Sequence, residues 1–563
     1  MNAVSHLPRL WRTLRHVPPH MLWARAGYIL RCKYYASPFN GLAELWHNQP
    51  EDALPLTLKI QPKPLWEGNA SHGQAIAQGR FTFVGHELPL GLPPRTWLPP
   101  QAKALWTFHL HYHEWLADLH AADELQAART LLTDWMDTFA TWHAVAWHPY
   151  PLSLRLVAWM EYRAWLLDGA GETFSTRFDD LLLAQARHLR NNVEYWLGGN
   201  HVIKNLKALV YAGICLSDHE TVLMESLAGL LRELQHQILP DGLHYERSPA
   251  YHAQVLEDMV AVTALLRKAG GVPPHLLDVM EKMGTALNIL RHPDGTLTQF
   301  NDGDTGDALR LTQLAKRAGA EKAASAWLTS GGYVRLQRGK TVLLMNAGKV
   351  GPDENPGHAH ADTLSFELSF MGEKLIVNNG TYAYQHAQRN LWRGTSRKST
   401  VTVDGENSAE VWSTFRVGRR PDTVTCEVRN LHEGDGAVQA GHNGYRHLGI
   451  RHARKVVLSA DGTMLRGEDT LTRSKRGRKA HKVIAGFVLA PDVACKLESD
   501  EQALLTLPNG KQARLAIRGG RLDSRTIPYA AHFGEEQETT QILIHTRLTG
   551  DSTKIEWLLK ATA

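Results

Sequence analysis

Cysteine is scarce in this chain. Its 563 residues include 4 cysteines, which lie far apart and form no CxxC pair. This spacing excludes a zinc ribbon and gives no sign of a disulfide framework. Long apolar runs and a secretory signal are also missing. We therefore expect no membrane span and a cytoplasmic location, with the periplasm as the alternative.

A strong charge of one sign is missing as well. The formal net charge of +5 is small for this length and does not indicate a nucleic-acid partner. Hydrophobic residues make up 43% of the chain, and no segment has a strongly biased composition, which excludes a disordered polymer or a fibre. The length predicts a protein of about two to four domains. The oligomeric state cannot be inferred.

The apolar residues follow two different periods. From about residue 98 to 320 they recur at helical spacing, whereas beyond residue 331 they alternate in short segments separated by Gly, Asn and Asp turns. The sequence therefore predicts a mixed segment over 1–95, a helical domain over 96–325 and an antiparallel β-sandwich over 326–563.

Histidines cluster in the motif HLHYH, residues 109–113. On a helix, alternate residues point about 200° apart, so only His109 and His113 would share a face. The five residues of the motif include no carboxylate. A packing or substrate-groove role is therefore favoured over a metal site.

Three polar clusters lie at the ends of segments in the helical half. Asn200 follows two glycines and could be only a helix N-cap, and Tyr251 could be only a buried aromatic residue with a satisfied hydroxyl. Ser248 and Pro249 predict a helix start. The clusters contain Tyr150, Ser153 and Arg155; Asn200 and His201; and Tyr245, Glu246, Arg247, Tyr251 and His252.

The segment GHAHADTLSFEL, residues 357–368, places two histidines and an aspartate just before a predicted strand. It could hold a metal, supply a catalytic base with its support, or be only the polar start of the strand. Together with LGGNH, SPAYH and the later GTYAY and RNLWRGTSRKSTVTVDG segments, it resembles the heparinase II/III-like polysaccharide lyases. The resemblance covers most of the chain. It implies an α+β chain in which an incomplete (α/α) toroid precedes an antiparallel β-sandwich, with the active site in the cleft between them.

The resemblance also implies a reaction and roles for individual residues. Such lyases cleave the bond beside a uronic acid of an acidic polysaccharide by β-elimination. By resemblance, Asn200 and His201 neutralise the carboxylate, Tyr251 acts as acid, and His358 is the second catalytic residue. The sequence leaves open which of Tyr251 and His358 is the base. The expected substrate-binding residues are Tyr150, Arg155, Tyr245, Glu246, Arg247, Tyr384, Arg389 and Arg393. A phenol needs nearby cations to lower its pKa, and Arg155, Arg247 or Arg389 could provide them.

One feature of the family pattern is incomplete. The positions that match a structural zinc site contain His360, Asn378 and Lys398, and an ammonium group has no lone pair to offer a metal. We therefore expect no zinc and no other cofactor. We expect Lys398 to replace the cation by donating to His360, Asn378 or Asp362.

Two other functions compete with the lyase prediction. A glycoside hydrolase on the same kind of fold needs a facing pair of carboxyl groups, for which the candidate residues are Glu246, Asp302, Asp304 and Asp362. A non-catalytic polysaccharide-binding or assembly protein would fit the missing secretory signal. Processing of exopolysaccharide is a further expectation. The polymer and the choice between endo and exo action cannot be predicted.

Overall fold

The computed structural model describes residues 7–37, 56, 58–217, 219–422, 424–474 and 479–562. The chain divides into two compact units. One unit comprises Met1–Val17, Gln237–Leu256 and Asp278–Ala563, and the other comprises Pro18–His236 and Glu257–Leu277. Across the described ranges, no helix is both long enough and apolar enough to cross a bilayer.

Helices account for most of the first half of the chain. In the described residues they are α1 (Leu7–Leu14), α2 (Pro19–Tyr35), α3 (Ala70–Ala77), α4 (Ala104–Tyr112), α5 (Leu116–Ala121), α6 (Leu125–Phe139), α7 (Pro149–Leu167), α8 (Glu172–Asn191), α9 (Gly199–Cys215), α10 (Glu220–Gln237), α11 (Pro249–Lys268), α12 (Pro274–Ile289), α13 (Ala308–Arg317) and the short α14 (Arg389–Trp392).

The helices form where the apolar spacing predicts them. In α6, the buried residues include Ala128, Leu131, Leu132 and Trp135, which recur at three- and four-residue intervals. The start of α11 at Pro249 confirms the predicted helix start. The two-residue turn Val84-Gly85 joins β1 (Arg80–Phe83) to β2 (His86–Pro89) in an antiparallel hairpin.

Most of the later strands form two large antiparallel sheets, and two short strands, Val411–Trp412 and Arg416–Val417, pair only with each other among the described residues. The later strands are β3 (Ala326–Leu328), β4 (Tyr333–Arg338), β5 (Thr341–Asn346), β6 (Phe366–Phe370), β7 (Glu373–Val377), β8 (Val401–Val403), β9 (Val411–Trp412), β10 (Arg416–Val417), β11 (Val424–Arg429), β12 (Gly436–His442), β13 (Ile450–Leu458), β14 (Met464–Arg473), β15 (His481–Leu489), β16 (Ala494–Leu497), β17 (Gln502–Thr506), β18 (Gln512–Arg518), β19 (Arg521–Tyr529), β20 (Gln537–Leu548) and β21 (Ser552–Ala561).

One sheet has the order β11-β12-β13-β14-β21-β18-β17-β16. The other has the order β19-β20-β15-β7-β6-β5-β4-β3, with β8 also paired to β15. Inward-facing side chains of both sheets share one apolar core. The predicted order of a helical half followed by an antiparallel β-sandwich is confirmed.

The sandwich core is packed closely around one tryptophan. The Trp557 ring stacks on Phe366 with centroids 5.5 Å apart and lies 5.1 Å from Phe487. A Cβ atom added to Gly467 on the neighbouring strand would lie 1.9 Å from the Trp557 ring. Only glycine therefore leaves room for the indole at this register. Strand β6, which follows the histidine segment, belongs to this rigid core.

Candidate active site

The histidine segment before β6 is held by its backbone. The buried guanidinium of Arg393 donates from Nε and Nη2 to the Ala359 carbonyl, at 3.1 and 2.8 Å, and the Arg393 carbonyl accepts from Ala361 at 2.9 Å. The Asn301 side chain accepts from the His360 amide at 3.0 Å. These bonds fix the backbone on both sides of His360. Arg393 therefore positions this segment, and because backbone carbonyls engage all three of its guanidinium nitrogens, it does not suit the substrate contact predicted from sequence.

Asp302 lies at the centre of the site. One of its oxygens accepts from His358 Nδ1 at 2.9 Å, and the other accepts from His360 Nε2 at 2.7 Å. The Arg389 guanidinium is within 2.7 Å of both oxygens. Burial opposes ionisation of this carboxyl group, but the charge of Arg389 and the two histidine hydrogen bonds outweigh it, so the Asp302 pKa is held well below its usual range.

An ionised Asp302 decides which histidine nitrogens carry protons. A carboxylate only accepts hydrogen bonds, so His358 must donate from Nδ1, and a neutral His358 has its lone pair on Nε2. His360 donates from Nε2, and burial with the nearby Lys398 charge lowers its pKa well below the usual value. The geometry therefore gives His358 a basic nitrogen and leaves His360 as a buried, neutral support.

Two tyrosines complete this cluster. The Tyr251 ring stacks on the His358 imidazole, with centroids 3.7 Å apart and planes inclined by 27°. The hydroxyls of Tyr251 and Tyr384 are hydrogen-bonded to each other. Arg389 lies over the Tyr384 ring at 5.0 Å, yet burial, joined by the Asp302 charge, raises the Tyr384 pKa. The cluster thus joins an imidazole and two phenols that can relay protons.

The segment before SPAYH contributes one carboxylate to the same cluster. Glu246 is almost fully buried, and its Oε2 lies 3.7 Å from His358 Nε2. Arg247 donates to the carbonyls of Tyr245 and Gly351, at 3.2 and 2.9 Å. Tyr245 is buried. Of the predicted substrate-binding residues, Glu246 therefore lies beside the imidazole of His358.

The residues at the zinc-like positions do not fit a zinc ion. The Asn378 amide donates to Glu367 Oε1 at 3.0 Å and accepts from the Ser399 amide at 3.1 Å. The Lys398 ammonium donates to Asn379 Oδ1 at 2.7 Å. The predicted acceptors, His360, Asn378 and Asp362, were therefore wrong, because the lysine reaches the neighbouring asparagine. A buried ammonium and an engaged amide are unsuitable zinc ligands.

A second polar cluster lies in the other unit, at the start of α9. Gly198 and Gly199 have φ values of 71° and 61°, which favour glycine, and Asn200 and His201 follow them. The His201 Nδ1 atom lies 3.1 Å from the buried carboxylate of Glu194. Burial opposes ionisation of Glu194, but the interaction with His201 outweighs it and lowers the Glu194 pKa. His201 therefore donates from Nδ1.

Glu194 is itself held by a reciprocal contact. Its Oε2 accepts from the Asn205 amide at 3.2 Å, and its backbone N–H donates to Asn205 Oδ1 at 2.9 Å. The Tyr150 ring, predicted to bind substrate, lies 4.2 Å from the His201 ring. Asn200 is also buried. The α9 cluster thus presents an oriented imidazole next to an amide.

Arg155 lies in the core of the helical unit. It is fully buried and donates to Gln185 Oε1 and to the carbonyls of His111 and Ala146, at distances of 2.6 to 2.8 Å. Its guanidinium also lies 4.4 Å from the Trp135 ring centre. These contacts engage all three guanidinium nitrogens. The predicted substrate-binding and pKa-lowering roles do not fit this position, and Arg155 is a packing residue.

The HLHYH histidines are packed against tryptophans. His113 follows α4 in the left-handed conformation, with φ of 55°, so it leaves the helical register. The Trp135 indole donates to His111 Nδ1 at 3.1 Å, and the Trp159 indole donates to His113 Nδ1 at 2.9 Å. The prediction that His109 and His113 share a face was therefore wrong. His111 and His113 instead both pack against Trp97 and Trp135.

Sequence reasoning missed two anchoring carboxylates. Asp302 was considered only as a hydrolase acid, and Glu194 was not singled out. Asp302 lies 56 positions from His358 in the chain, so no local pattern reveals the pair. Glu194 is 7 positions before His201, in the loop that leads to the two glycines. A buried acid so close to a candidate histidine is a signal that could have been used.

Known proteins resemble this chain over most of its length. FtsZ-localized protein C of Caulobacter vibrioides is 26% identical over 519 residues, which are 88% of this chain and 88% of that protein. A heparin-sulfate lyase of Bacteroides stercoris is 23% identical over 396 residues, or 59% of each chain. The crystal structure of a heparinase III aligns with a TM-score of 0.74 at 17% identity, covering 97% of this chain and 92% of that one.

The structural likeness confirms the predicted incomplete (α/α) toroid followed by a β-sandwich. Sequence models of the family match both parts of the chain. Residues 97–320 match the heparinase II/III N-terminus, and residues 320–558 match the heparinase II/III-like C-terminal region. The chain therefore belongs to the heparinase II/III family.

Proposed function

We propose that this protein is a polysaccharide lyase that cleaves a uronic-acid-containing polysaccharide by β-elimination. The observation that carries the proposal is the arrangement around Asp302. Its carboxylate accepts from His358 Nδ1, which leaves Nε2 as the proton acceptor, and Tyr251 is stacked on the same imidazole. Family membership and the lyase names of several relatives support the same reaction.

The reaction needs a base, an acid and donors to the uronate. His358 takes the C5 proton through Nε2, the electrons of the C–H bond form the C4=C5 double bond, and the C4–O bond breaks. Tyr251 gives its proton to the departing oxygen. Asn200 and His201 donate hydrogen bonds to the uronate carboxylate, which stabilises the negative charge that develops there.

Arg389 also suits an acidic substrate. Its Nη2 atom binds Asp302, whereas its buried Nη1 has no hydrogen-bond partner within the described ranges. A buried guanidinium N–H without a partner is costly, and an anionic group can satisfy it. Of the predicted substrate-binding residues, Arg389 and Tyr384 are those that contact each other beside the catalytic cluster.

Hydrolysis is less well supported by the carboxyl groups. Asp302 is occupied by Arg389 and two histidines, and Asp304 is bound to His532 and to the Phe533 amide. Asp362 accepts from the Asn301 amide and the Asn346 side chain. A hydrolase needs two carboxyl groups across the scissile bond, and three of the four candidates serve other groups.

Lys398 takes the place of a structural cation in this proposal. Burial lowers its pKa to about 8, while the charges of Asp362 and Asp302 act in the opposite direction. The ammonium form hydrogen-bonds Asn379 and neutralises part of the negative charge near His360. Stoichiometric zinc in metal analysis of the purified protein, lost in His360→Ala, would contradict this assignment.

A lyase assay tests the proposal. The protein is incubated with a panel of uronic-acid polysaccharides, including exopolysaccharide of the producing organism, and the ultraviolet absorbance of the new double bond is followed. We expect a rise that disappears in Tyr251→Phe and His358→Ala. Tyr382→Phe is the matched control, because Tyr382 packs on Trp392 outside the cluster. Silence of the wild type across the panel would contradict the proposal.

A second function is favoured by one relative. The protein named FtsZ-localized protein C aligns over 88% of this chain. We therefore propose, as the alternative, a non-catalytic protein of the cell-division site that binds polysaccharide. A fluorescent fusion in the producing organism tests it. Enrichment at mid-cell together with an inactive wild-type enzyme would favour the alternative, and a diffuse signal from an active enzyme would exclude it.

The compartment of the protein needs an experiment of its own. We propose a cytoplasmic location, where the lyase would trim imported or newly made oligosaccharide, with periplasmic processing of exopolysaccharide as the alternative. Cell fractionation followed by immunoblotting separates the two.

A further inference from the structure

The first two helices carry positive charge and no negative charge. Between Leu7 and Ser37 the chain has six Arg or Lys residues and no Asp or Glu. The same stretch contains several of the large apolar side chains that are most exposed on this protein. They are Leu7, Trp11, Leu14, Leu22, Trp23, Ile29, Leu30 and Tyr34. Neither helix has the acidic residues of an ordinary solvated surface.

Helix α1 is attached to its unit through its polar side. Arg12 donates to both carboxylate oxygens of Glu410, at 2.8 and 2.7 Å. Thr13 accepts from the Trp412 indole at 3.2 Å. The apolar residues Leu7, Trp11 and Leu14, spaced as one helical stripe, are exposed, and Trp11 is 70% exposed. This orientation is the reverse of a normal surface helix, whose apolar stripe faces the core.

Helix α2, in the other unit, buries Met21 and Tyr35 on its packed side but also leaves large apolar side chains exposed. Tyr28 stacks on Trp196 with ring centroids 3.8 Å apart, and Arg31 donates to Asn192 at 3.1 Å. The opposite side leaves Trp23 78% exposed and Leu30 66% exposed. Large exposed apolar surfaces mark interaction sites, because water does not stabilise them.

We propose that α1 and α2 are docking helices for the surface of an anionic lipid bilayer. Exposed tryptophan and leucine suit the boundary between headgroups and acyl chains, where the indole places its apolar ring in the lipid and its N–H in the polar layer. The exposed cations Arg15, Arg25 and Lys33 flank these side chains and complement anionic headgroups. The helices lie on the bilayer surface and do not span it.

Charge complementarity selects this occupant over a second copy of the chain. A symmetric contact between two copies of α1 or α2 would bring like charges together, with no carboxylate on either helix to offset them. A bilayer with anionic lipid removes that repulsion and covers the apolar side chains. Because each helix alone can contact a bilayer, the exposed apolar side chains of α1 and α2 are replaced separately and together.

Vesicle flotation of the full-length protein tests the proposal. The probes are vesicles of phosphatidylcholine alone and vesicles of phosphatidylcholine mixed with phosphatidylglycerol. We expect binding to the mixed vesicles that weakens with added salt, because screening reduces the headgroup attraction. Trp11→Ser with Leu14→Ser, and Trp23→Ser with Leu30→Ser, should each reduce partitioning, and all four changes together should reduce it at least about tenfold.

Two further variants sharpen the test. Replacing Arg15, Arg25 and Lys33 by glutamate should remove the preference for anionic vesicles. Leu309→Ser is the matched control, since Leu309 is equally exposed on α13 and lies outside these helices. It should leave binding unchanged. Circular dichroism confirms that each variant is folded.

Two outcomes would overturn the proposal. One is wild-type protein that does not float with the mixed vesicles, or that floats equally well in the serine variants. The other is a wild-type dimer in analytical ultracentrifugation that the serine variants dissociate, together with no vesicle binding, which would assign these helices to a second copy. Neither vesicle flotation nor ultracentrifugation depends on lyase activity, so the failure of this proposal is distinct from the failure of the proposed function.

Discussion

Two histidine motifs with the same alternating spacing have different surroundings in this protein. In HLHYH, His111 and His113 accept hydrogen bonds from the indoles of Trp135 and Trp159. In GHAHAD, His358 and His360 donate to the two oxygens of one buried carboxylate. His111 and His113 thus accept hydrogen bonds from neutral indoles through Nδ1, whereas His358 and His360 donate hydrogen bonds to the ionised carboxylate of Asp302.

The difference lies in the partner and not in the histidine. An indole N–H fixes an imidazole by donating to its lone pair. Burial disfavours the charged imidazolium, keeps His111 and His113 neutral, and lowers the pKa of His111 to about 3. A carboxylate instead takes the N–H and leaves the other nitrogen basic. His201, held by Glu194, belongs with the carboxylate-bound group. A histidine motif therefore indicates catalysis only when its acid is identified.

Removing the acid should have the largest effect. Asp302→Asn keeps the shape but removes the charge that fixes the His358 tautomer, and we expect kcat to fall by about 10²–10⁴. It also leaves Arg389 buried beside a neutral group, which should lower the free energy of unfolding. Double-bond formation and urea unfolding measure the two effects. Asp304→Asn, in the same loop, is the control, and equal activity of the two variants would contradict the account.

The carboxylate behind His201 should matter less. Glu194→Gln lets the amide donate to His201 Nδ1 and disturbs the imidazole orientation, so we expect kcat/KM to fall by about 10–100-fold, the equivalent of one charged hydrogen bond. The same assay with saturating substrate shows whether the loss lies in kcat. Unchanged kinetics would place His201 outside the reaction.

The indole-bound histidines should affect stability and not catalysis. Trp159→Phe removes the donor to His113 Nδ1 and leaves a buried acceptor without its partner. We expect the free energy of unfolding to fall by about 1–3 kcal/mol with kcat unchanged. Urea titration together with the absorbance assay checks both. A loss of activity in the folded variant would show that the HLHYH histidines contribute to catalysis.

Acid should destabilise the protein through the indole-bound histidines. The folded-state pKa of His111 and of His113 lies below the unfolded value near 6.5, so each contributes stability that is complete above that pH and is lost as the pH falls below it. In this pH range the free energy of unfolding falls by about 1.4 kcal/mol per pH unit for each histidine. His111→Gln replaces the ring by an amide that can accept from the Trp135 indole and donate to the Trp97 carbonyl, as His111 does, without titrating, and it should remove one such slope. Unfolding curves at pH 7 and pH 5 test this, and identical slopes would contradict it.

Much of the fold is local and could be predicted. The helix start at Pro249, the glycines before Asn200 and the alternating strands after residue 331 each depend on neighbours in the chain. Residue periodicity reports these features because burial of one face repeats with the helix or strand.

The site was harder to predict because its contacts are not local. Asp302 meets His358 across 56 positions, and Arg389 meets Asp302 across 87. The burial of Arg155 and the turn at His113 depend on side chains from several helices. The residues of the candidate site could therefore be named from the family motifs, whereas their partners could not.

Elimination by a carboxylate-oriented histidine adds no water to the substrate, whereas hydrolysis does. The most direct measurement is mass spectrometry of the products formed in water labelled with heavy oxygen. We expect the wild type to form an unsaturated product without the label, and Asp302→Asn to lose this product. A saturated product carrying one labelled oxygen would show hydrolysis and contradict the account.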